Sequence, residues 1–330
     1  MRPRLSNNRR APGGALFLRA TEHRPSGLWF KVLMTRRGLL LFIAMSVIWG
    51  IPYLFIRIAV ADLHPAVLVF ARTGLAALIL LPIALARGEL RGLARYWLPL
   101  VAFTAVEVGI PWLALASAEQ HISSSLAGLL LSAVPLVGVV IATARGNREH
   151  LGAASLTGLL MGLVGVGAIV GFDLRASDWP SLVEMGIVAV GYAAGPVILS
   201  RYLAHLPSVG VMAVALTICA VAYIPVAVVQ SPHSVPGAGV IGSVAVLAVV
   251  CTAVAFLLFF ALIAEIGPVR ATVITYINPA VAAVLGIAVL HERFTLGMAL
   301  GFVLVISGSV LATRKRAAAA RPEPAPARQA

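Results

Sequence analysis

Charge along this chain is confined largely to its two ends and to short breaks between long apolar runs. The runs fall at approximately 38–60, 66–86, 97–117, 123–143, 152–171, 182–200, 207–229, 240–263, 270–290 and 295–312. Each is long enough to cross a hydrocarbon core of ~30 Å as a helix. Barrel strands would show short segments of alternating polarity, and these runs are continuously apolar. The pattern predicts an all-α polytopic membrane protein with ten transmembrane helices.

The run NPAVAAVLGIAVLHE at 278–292 contains a proline, which normally costs ~3 kcal/mol inside a helix. A second copy, VPLVGVVIATARGNRE, stands at 134–149. Pro135 and Pro279 are 144 positions apart, as are Pro52 and Pro196. Pro65/Pro207 and Pro82/Pro225 repeat at 142 and 143, and Glu149/Glu292, Gly158/Gly301 and Gly165/Gly308 all repeat at 143. A shared register over so many pairs implies two copies of a five-helix unit, at 38–171 and 182–312, joined by a linker at 172–181. An odd number of spans makes the second copy enter from the opposite face, so the halves are expected to be inverted repeats. That arrangement is a signature of secondary transporters, with the solute held near the midplane between broken helices. Pro52, Pro135, Pro196 and Pro279 are the expected breaks. The carbonyls freed by Pro135 and Pro279, on Leu131 and Thr275, are expected to face a cavity; the alternative is packing kinks satisfied by neighbouring helices.

Composition agrees with the pattern: 60% of residues are hydrophobic and 11% charged, against about 25% charged in soluble domains. The net charge of +13 raises the question of nucleic acid, but no aromatic residues interleave the arginines. With the N-terminus inside, all but Arg57, Arg72, Arg175 and Arg293 of the 25 Lys and Arg residues lie on the inward side. That bias sets topology and predicts a multi-pass protein of the cytoplasmic membrane with both termini cytoplasmic. The tails, 1–37 and 313–330, are expected to be disordered, and MTRRGLLLF at 34–42 resembles a natural start. Cys219 and Cys251 fall inside spans and read as small apolar residues; no metal or cofactor spacing is present.

Charged residues within spans are expensive and mark function. Glu107 lies about 15 Å into span 3, near the midplane. Desolvation there disfavours its charged form, which makes it the candidate for exchanging protons with a gradient. Arg72 in span 2 is its expected partner, or a bidentate holder of a substrate carboxylate. A static Glu107–Arg72 pair is the structural alternative. Arg57 reads as a residue that snorkels to the headgroups. Trp49 and Tyr53 share one face of span 1 and, with Trp112, Tyr192, Tyr276 and Asn278, are candidates to line the cavity. Glu149 and Glu292 are expected to cap the helix that follows each. The glycines at 158, 162, 165, 297, 301 and 308 read as close helix–helix faces.

The segments VIWGIPYLFIRIAV and VFARTGLAALILL, with two P-x12–13-E-x8-G-x6-G blocks, resemble the EamA-type members of the drug/metabolite transporter superfamily over residues 38–312. The resemblance implies ten helices and export or uptake of a small organic metabolite or drug, without specifying which. The second half departs from the first: it lacks a counterpart to Arg72, and Ala193 matches Trp49. The expected function is secondary active transport by alternating access, with export as the direction, an amino acid or amine as substrate and protons as the coupling ion. The rivals are weaker. An enzyme would need a metal or nucleophile cluster, yet LHERF lacks the second His of a zinc-protease motif. A channel would want a continuous polar lining, and a scaffold gives no reason for inverted duplication.

Overall fold

The computed structural model describes residues 35–144, 153–173 and 179–313. The tails, the Arg145–Arg148 loop, Glu149 and Arg175 lie outside the described residues. Among the described residues, ten helices are long and apolar enough to cross a membrane: α1 Arg36–Ala59, α2 Pro65–Ala86, α3 Leu93–Ala118, α4 Ser124–Ala144, α5 Ala153–Val170, α6 Trp179–Leu203, α7 Ser208–Val229, α8 Ala238–Ile266, α9 Thr272–Leu290 and α10 Leu296–Thr313. Their ends depart from the expected ones by four residues at most. The largest difference is at α3, where a 3-10 turn over Leu93–Tyr96 extends the helix backwards from Gly92, itself at φ 80. Leu40, Leu78, Leu163 and Val229 project from the bundle. A helix apolar on every side needs lipid around it, and the large exposed side chains supply that coat.

Several helices are interrupted, and prolines sit where interruption is cheap. In α4 a 3-10 turn over Leu131–Ala133 precedes a fresh α-helix from Val134, with Pro135 in its second position. In α9 a 3-10 turn over Thr272–Tyr276 precedes a helix from Asn278, with Pro279 second. A proline in the first helical turn removes an N–H that has no intrahelical partner anyway, so the ordinary penalty does not arise. The same device opens the second part of α1 at Pro52. Pro196 differs: it lies inside a continuous helix, and the irregular turn comes after it, at Leu199–Leu203. The carbonyl of Leu131 accepts the Val134 N–H.

The closest helix packing joins α5 with α10, α2 with α7, α3 with α6, α4 with α9 and α1 with α8. Every pair takes one helix from each half. Exchanging the halves leaves the set of pairs unchanged. The α5–α10 contact shows the same reciprocity at atomic detail. A Cβ on Gly158 would stand 2.5 Å from the Gly308 carbonyl, and one on Gly165 would stand 2.8 Å from the Gly301 carbonyl. These are the residues that repeat at 143. Glycine is required here because the opposing atoms are backbone and cannot move aside.

The expectation is direct. Gly165→Ala and Gly301→Ala will each destabilise the bundle by about 1–3 kcal/mol, the usual cost of overpacking, read as a lower unfolding midpoint in detergent. Gly167, whose added Cβ meets open space, is the control, and Gly167→Ala will leave the midpoint unchanged.

Candidate functional site

The centre of the bundle is built on two distorted turns. α3 carries a π-helical segment over Thr104–Gly109 and α8 another over Val249–Val254, 145 positions apart. Single π turns inside α-helices recur at functional sites. They shift the hydrogen-bond register, and in a membrane each displaced carbonyl must be met from within the protein. The Tyr223 hydroxyl, from α7, donates to the Gly109 carbonyl at 3.0 Å. The Thr252 hydroxyl donates to the Leu247 carbonyl five residues back, at 2.7 Å.

Glu107 rides on the first of these turns, near the middle of α3. Its Oε2 is buried and has no hydrogen-bond partner. Two glycines of α6 allow that position. A Cβ on Gly191 would come within 2.5 Å of the Val106 carbonyl, and a Cβ on Gly195 would fall on the Glu107 carboxylate itself. Gly191 and Gly195 are four apart and so share one face of α6, which lies flat against the π turn. The carboxylate is thereby pressed between two helices with an unmet acceptor.

The cationic part of the site stands on α2. Arg72 is buried. Its Nε donates to Thr252 Oγ1 at 2.9 Å, and its guanidinium carbon lies 3.7 Å from the centroid of the Trp112 ring. A cation over an indole face is held by the ring quadrupole, and more strongly once both are out of water. Thr252 therefore does two jobs, closing the π turn of α8 and orienting the arginine. Among the described residues no carboxylate pairs with Arg72, so the expected Glu107–Arg72 ion pair does not form in this state. Tyr192 on α6 lies within electrostatic reach of both Arg72 and Glu107, and Tyr53 within reach of Arg72 and Tyr192.

Five of the residues singled out in the sequence thus come together: Glu107, Arg72, Trp112, Tyr192 and Tyr53. The other three do separate work. Trp49 packs on the α8 rings of Phe259 and Phe256, with centroids 4.6 and 5.8 Å away. Tyr276 brings its hydroxyl 3.4 Å from that of Thr313 on α10. Asn278, with its amide nitrogen turned towards the acceptors, donates to the carbonyls of Ser46 on α1 and Ile274 on α9 at 3.0 and 2.9 Å. It seals the α9 break against the α1 break, where Gly50 packs on Val281.

A second polar group closes the end of the bundle away from the chain termini. Glu292, in the turn after α9, accepts from the Ser124 N–H at 2.8 Å and the Ser124 hydroxyl at 2.9 Å. It also accepts from the Ser125 N–H at 2.9 Å and the Ser125 hydroxyl at 2.5 Å. The expected cap of the following helix is therefore corrected: Glu292 caps α4, across the bundle. The reason is local. Thr295 Oγ1 already accepts from the Met298 N–H at the start of α10, and the left-handed His291, at φ 54, turns the chain back. Arg57, expected at the headgroups, instead donates to the backbone carbonyl of Glu119 at the end of α3. Sequence reasoning gave no role to Thr252, Tyr223, Gly191, Gly195 or Glu119. Among the described residues, no three His, Cys, Asp or Glu side chains gather as a metal site.

Comparison with known proteins bears on the fold and the family. The chain is 27% identical over 293 residues to the uncharacterized inner membrane transporter YedA of Escherichia coli strain K12, covering 86% of this chain and 92% of that one. The YedA proteins of Escherichia coli O6:H1 and O157:H7 match to the same degree. A solved crystal structure superposes with a TM-score of 0.60 at 22% identity, over 84% of this chain and 96% of the other, which shows a shared fold. The model of the EamA-like transporter family matches twice, over residues 36–171 and 183–314. With both halves of its ten-helix bundle matched, this chain belongs to the EamA-like transporter family.

Proposed function

We propose that this transporter is a secondary active carrier, moving a small organic solute by alternating access, with Glu107 as its proton-coupling group. The observation that carries the reading is the buried, unpartnered Oε2 of Glu107 at mid-bundle, beside the Arg72–Trp112–Thr252 group. A carboxylate desolvated in this way prefers to hold a proton and releases it when a mouth opens to water. The trade between proton and solute follows if the solute's ammonium group takes the place of that proton. The guanidinium of Arg72, fixed by an aromatic face and one hydroxyl, suits a solute carboxylate. An amino acid meets both requirements, and an amine of mixed polarity meets the first. The proposed direction is export, across a cytoplasmic membrane in which both termini are cytoplasmic; the Lys/Arg distribution supports that orientation.

We further infer that the halves are inverted repeats about a pseudo-two-fold axis. The support is the closed set of helix pairs, the reciprocal glycine contacts of α5 and α10, and the five spans in each matched unit. Rocking one half against the other is the motion such symmetry allows.

Proteoliposomes with an imposed pH gradient and a panel of amino acids and amines test the coupling. Glu107→Gln is expected to abolish gradient-driven accumulation and to weaken solute exchange at equal pH as well, since the amide mimics the protonated acid and offers no anion to the solute's ammonium group. Full gradient-driven flux in Glu107→Gln would sink the coupling role.

Gly195→Ala tests the seat of the carboxylate without touching its charge. The added methyl occupies the place of the Glu107 carboxylate, and flux is expected to fall about ten- to a hundredfold, the equivalent of ~1–3 kcal/mol of overpacking. Gly186→Ala, on the same helix but facing open space, is expected to transport normally.

A further inference from the structure

Two carboxylates meet at the end of the bundle away from the termini, and their surroundings differ. Glu292 accepts four hydrogen bonds from Ser124 and Ser125. Glu119, one residue past the end of α3, is wholly buried, and neither carboxylate oxygen has a partner. Its neighbour Arg57 is spent on the Glu119 backbone carbonyl. The groups within electrostatic reach of Glu119 are Glu292 beyond α9, Arg57 and Tyr53 on α1, Arg72 on α2 and Tyr192 on α6.

A buried carboxyl beside a second carboxylate resists ionising. Four donors, two of them backbone N–H groups, fix the Glu292 carboxylate in place. Glu119 has no donor to stabilise a charge. Burial, and then the nearby Glu292, push the Glu119 carboxyl well above the usual carboxylate range, with Arg57 and Arg72 opposing.

We propose that Glu119 is a proton-binding site of the gate on this face, protonated while Glu292 is latched to Ser124 and Ser125, and deprotonated to water when the latch opens. The proposal rests on the alternating-access reading above, but concerns a different carboxylate from Glu107. The O–H of Glu119 breaks, the proton passes to a water molecule at the opened mouth, and the carboxylate remains as the anion. Because the closed form binds the proton more tightly, raising the pH favours the open form. One proton linked to opening gives a change of about tenfold per pH unit in the open-to-closed ratio between the two pKa values.

The chain carries its own reporter. Cys251 on α8 is buried and lies within electrostatic reach of Arg72. In a Cys219→Ala background, a membrane-impermeant maleimide is added from the side away from the termini. Thiol ionisation alone speeds maleimide labelling as the pH rises, so the gate is read as the wild-type rate divided by the Glu119→Gln rate at each pH, a ratio expected to grow about tenfold per pH unit over the titrating range. In Glu119→Gln, which mimics the protonated acid, labelling is expected to follow thiol ionisation alone. A Glu119→Gln protein that follows the wild-type pH curve would overturn the proposal. A second readout needs no gate motion: at neutral pH, where ordinary carboxylates are ionised, the wild-type minus Glu119→Gln infrared difference spectrum should contain a protonated-carboxyl stretch, and its absence would also overturn the proposal. Wild-type protein that labels with pH but moves no solute in liposomes would defeat the transport reading alone and leave the proton site standing.

Discussion

Hydrocarbon offers a backbone carbonyl no hydrogen-bond partner, and that single constraint organises the interior of this bundle. Four departures from regular helix are answered from inside. Tyr223 meets Gly109, Thr252 meets Leu247, and Asn278 meets both Ser46 and Ile274. Ser309 on α10 reaches the Ser132 carbonyl in the α4 break at 3.3 Å. The breaks at Gly109 and Ser132 therefore lie where helices from opposite halves face each other. Having to satisfy them is what draws a hydroxyl or amide into an otherwise apolar core. A site for a polar solute is then a small further step. Thr252 illustrates this, since the hydroxyl that repairs α8 also receives Arg72.

Glycine supplies the second half of the logic. Helices in lipid gain nothing from burying apolar surface against one another, so association depends on close contact and on hydrogen bonds. The α5–α10 seam uses glycine to bring backbones together and contains one polar contact, from the Ser155 hydroxyl to the Ala312 carbonyl at 2.9 Å. The α3–α6 seam uses Gly191 and Gly195 for a different purpose. There the space left by missing side chains admits a carboxylate. One residue type thus builds a rigid seam at the edge of the bundle and a socket at its centre. What differs is the opposing group.

The ten spans were legible because a continuous apolar run of about twenty residues has few other uses. The duplication was legible because proline and glycine, fixed by backbone requirements, hold their register when other residues drift. Glu107 announced itself as an acid inside an apolar run. The partners did not. Thr252 and Tyr223 are unremarkable in any membrane helix, and only the packing of α8 and α7 makes them neighbours of Arg72 and Gly109. Glu119 falls just past the expected end of its span, where a carboxylate is ordinarily at home in water. Tyr276 sits near a matched break, yet the direction of its side chain follows from the 3-10 turn before Pro279, which residue spacing does not encode. Spacing located the breaks; it could not say which groups would fill them.

The two ends of the bundle differ in the residues that stand at matching positions of the repeat. Ser124 and Ser125, which hold Glu292, have Gly267 and Pro268 as their counterparts 143 positions later. Glycine has no hydroxyl, and proline has neither a hydroxyl nor an N–H. Of the four donors that fix Glu292, the second half retains one, the Gly267 N–H, and that one is already given to the Ile263 carbonyl at 2.9 Å. Gly267 also stands at φ 83, a conformation that Ser124 at the start of α4 does not share. Duplication therefore preserved the proline breaks of α4 and α9 and the glycine seam of α5 and α10, but not the donors that hold Glu292. The Ser124–Ser125–Glu292 contact stands at the end of the bundle where Glu119 is buried, whereas at the other end the Thr35 hydroxyl joins α1 to Glu265 of α8.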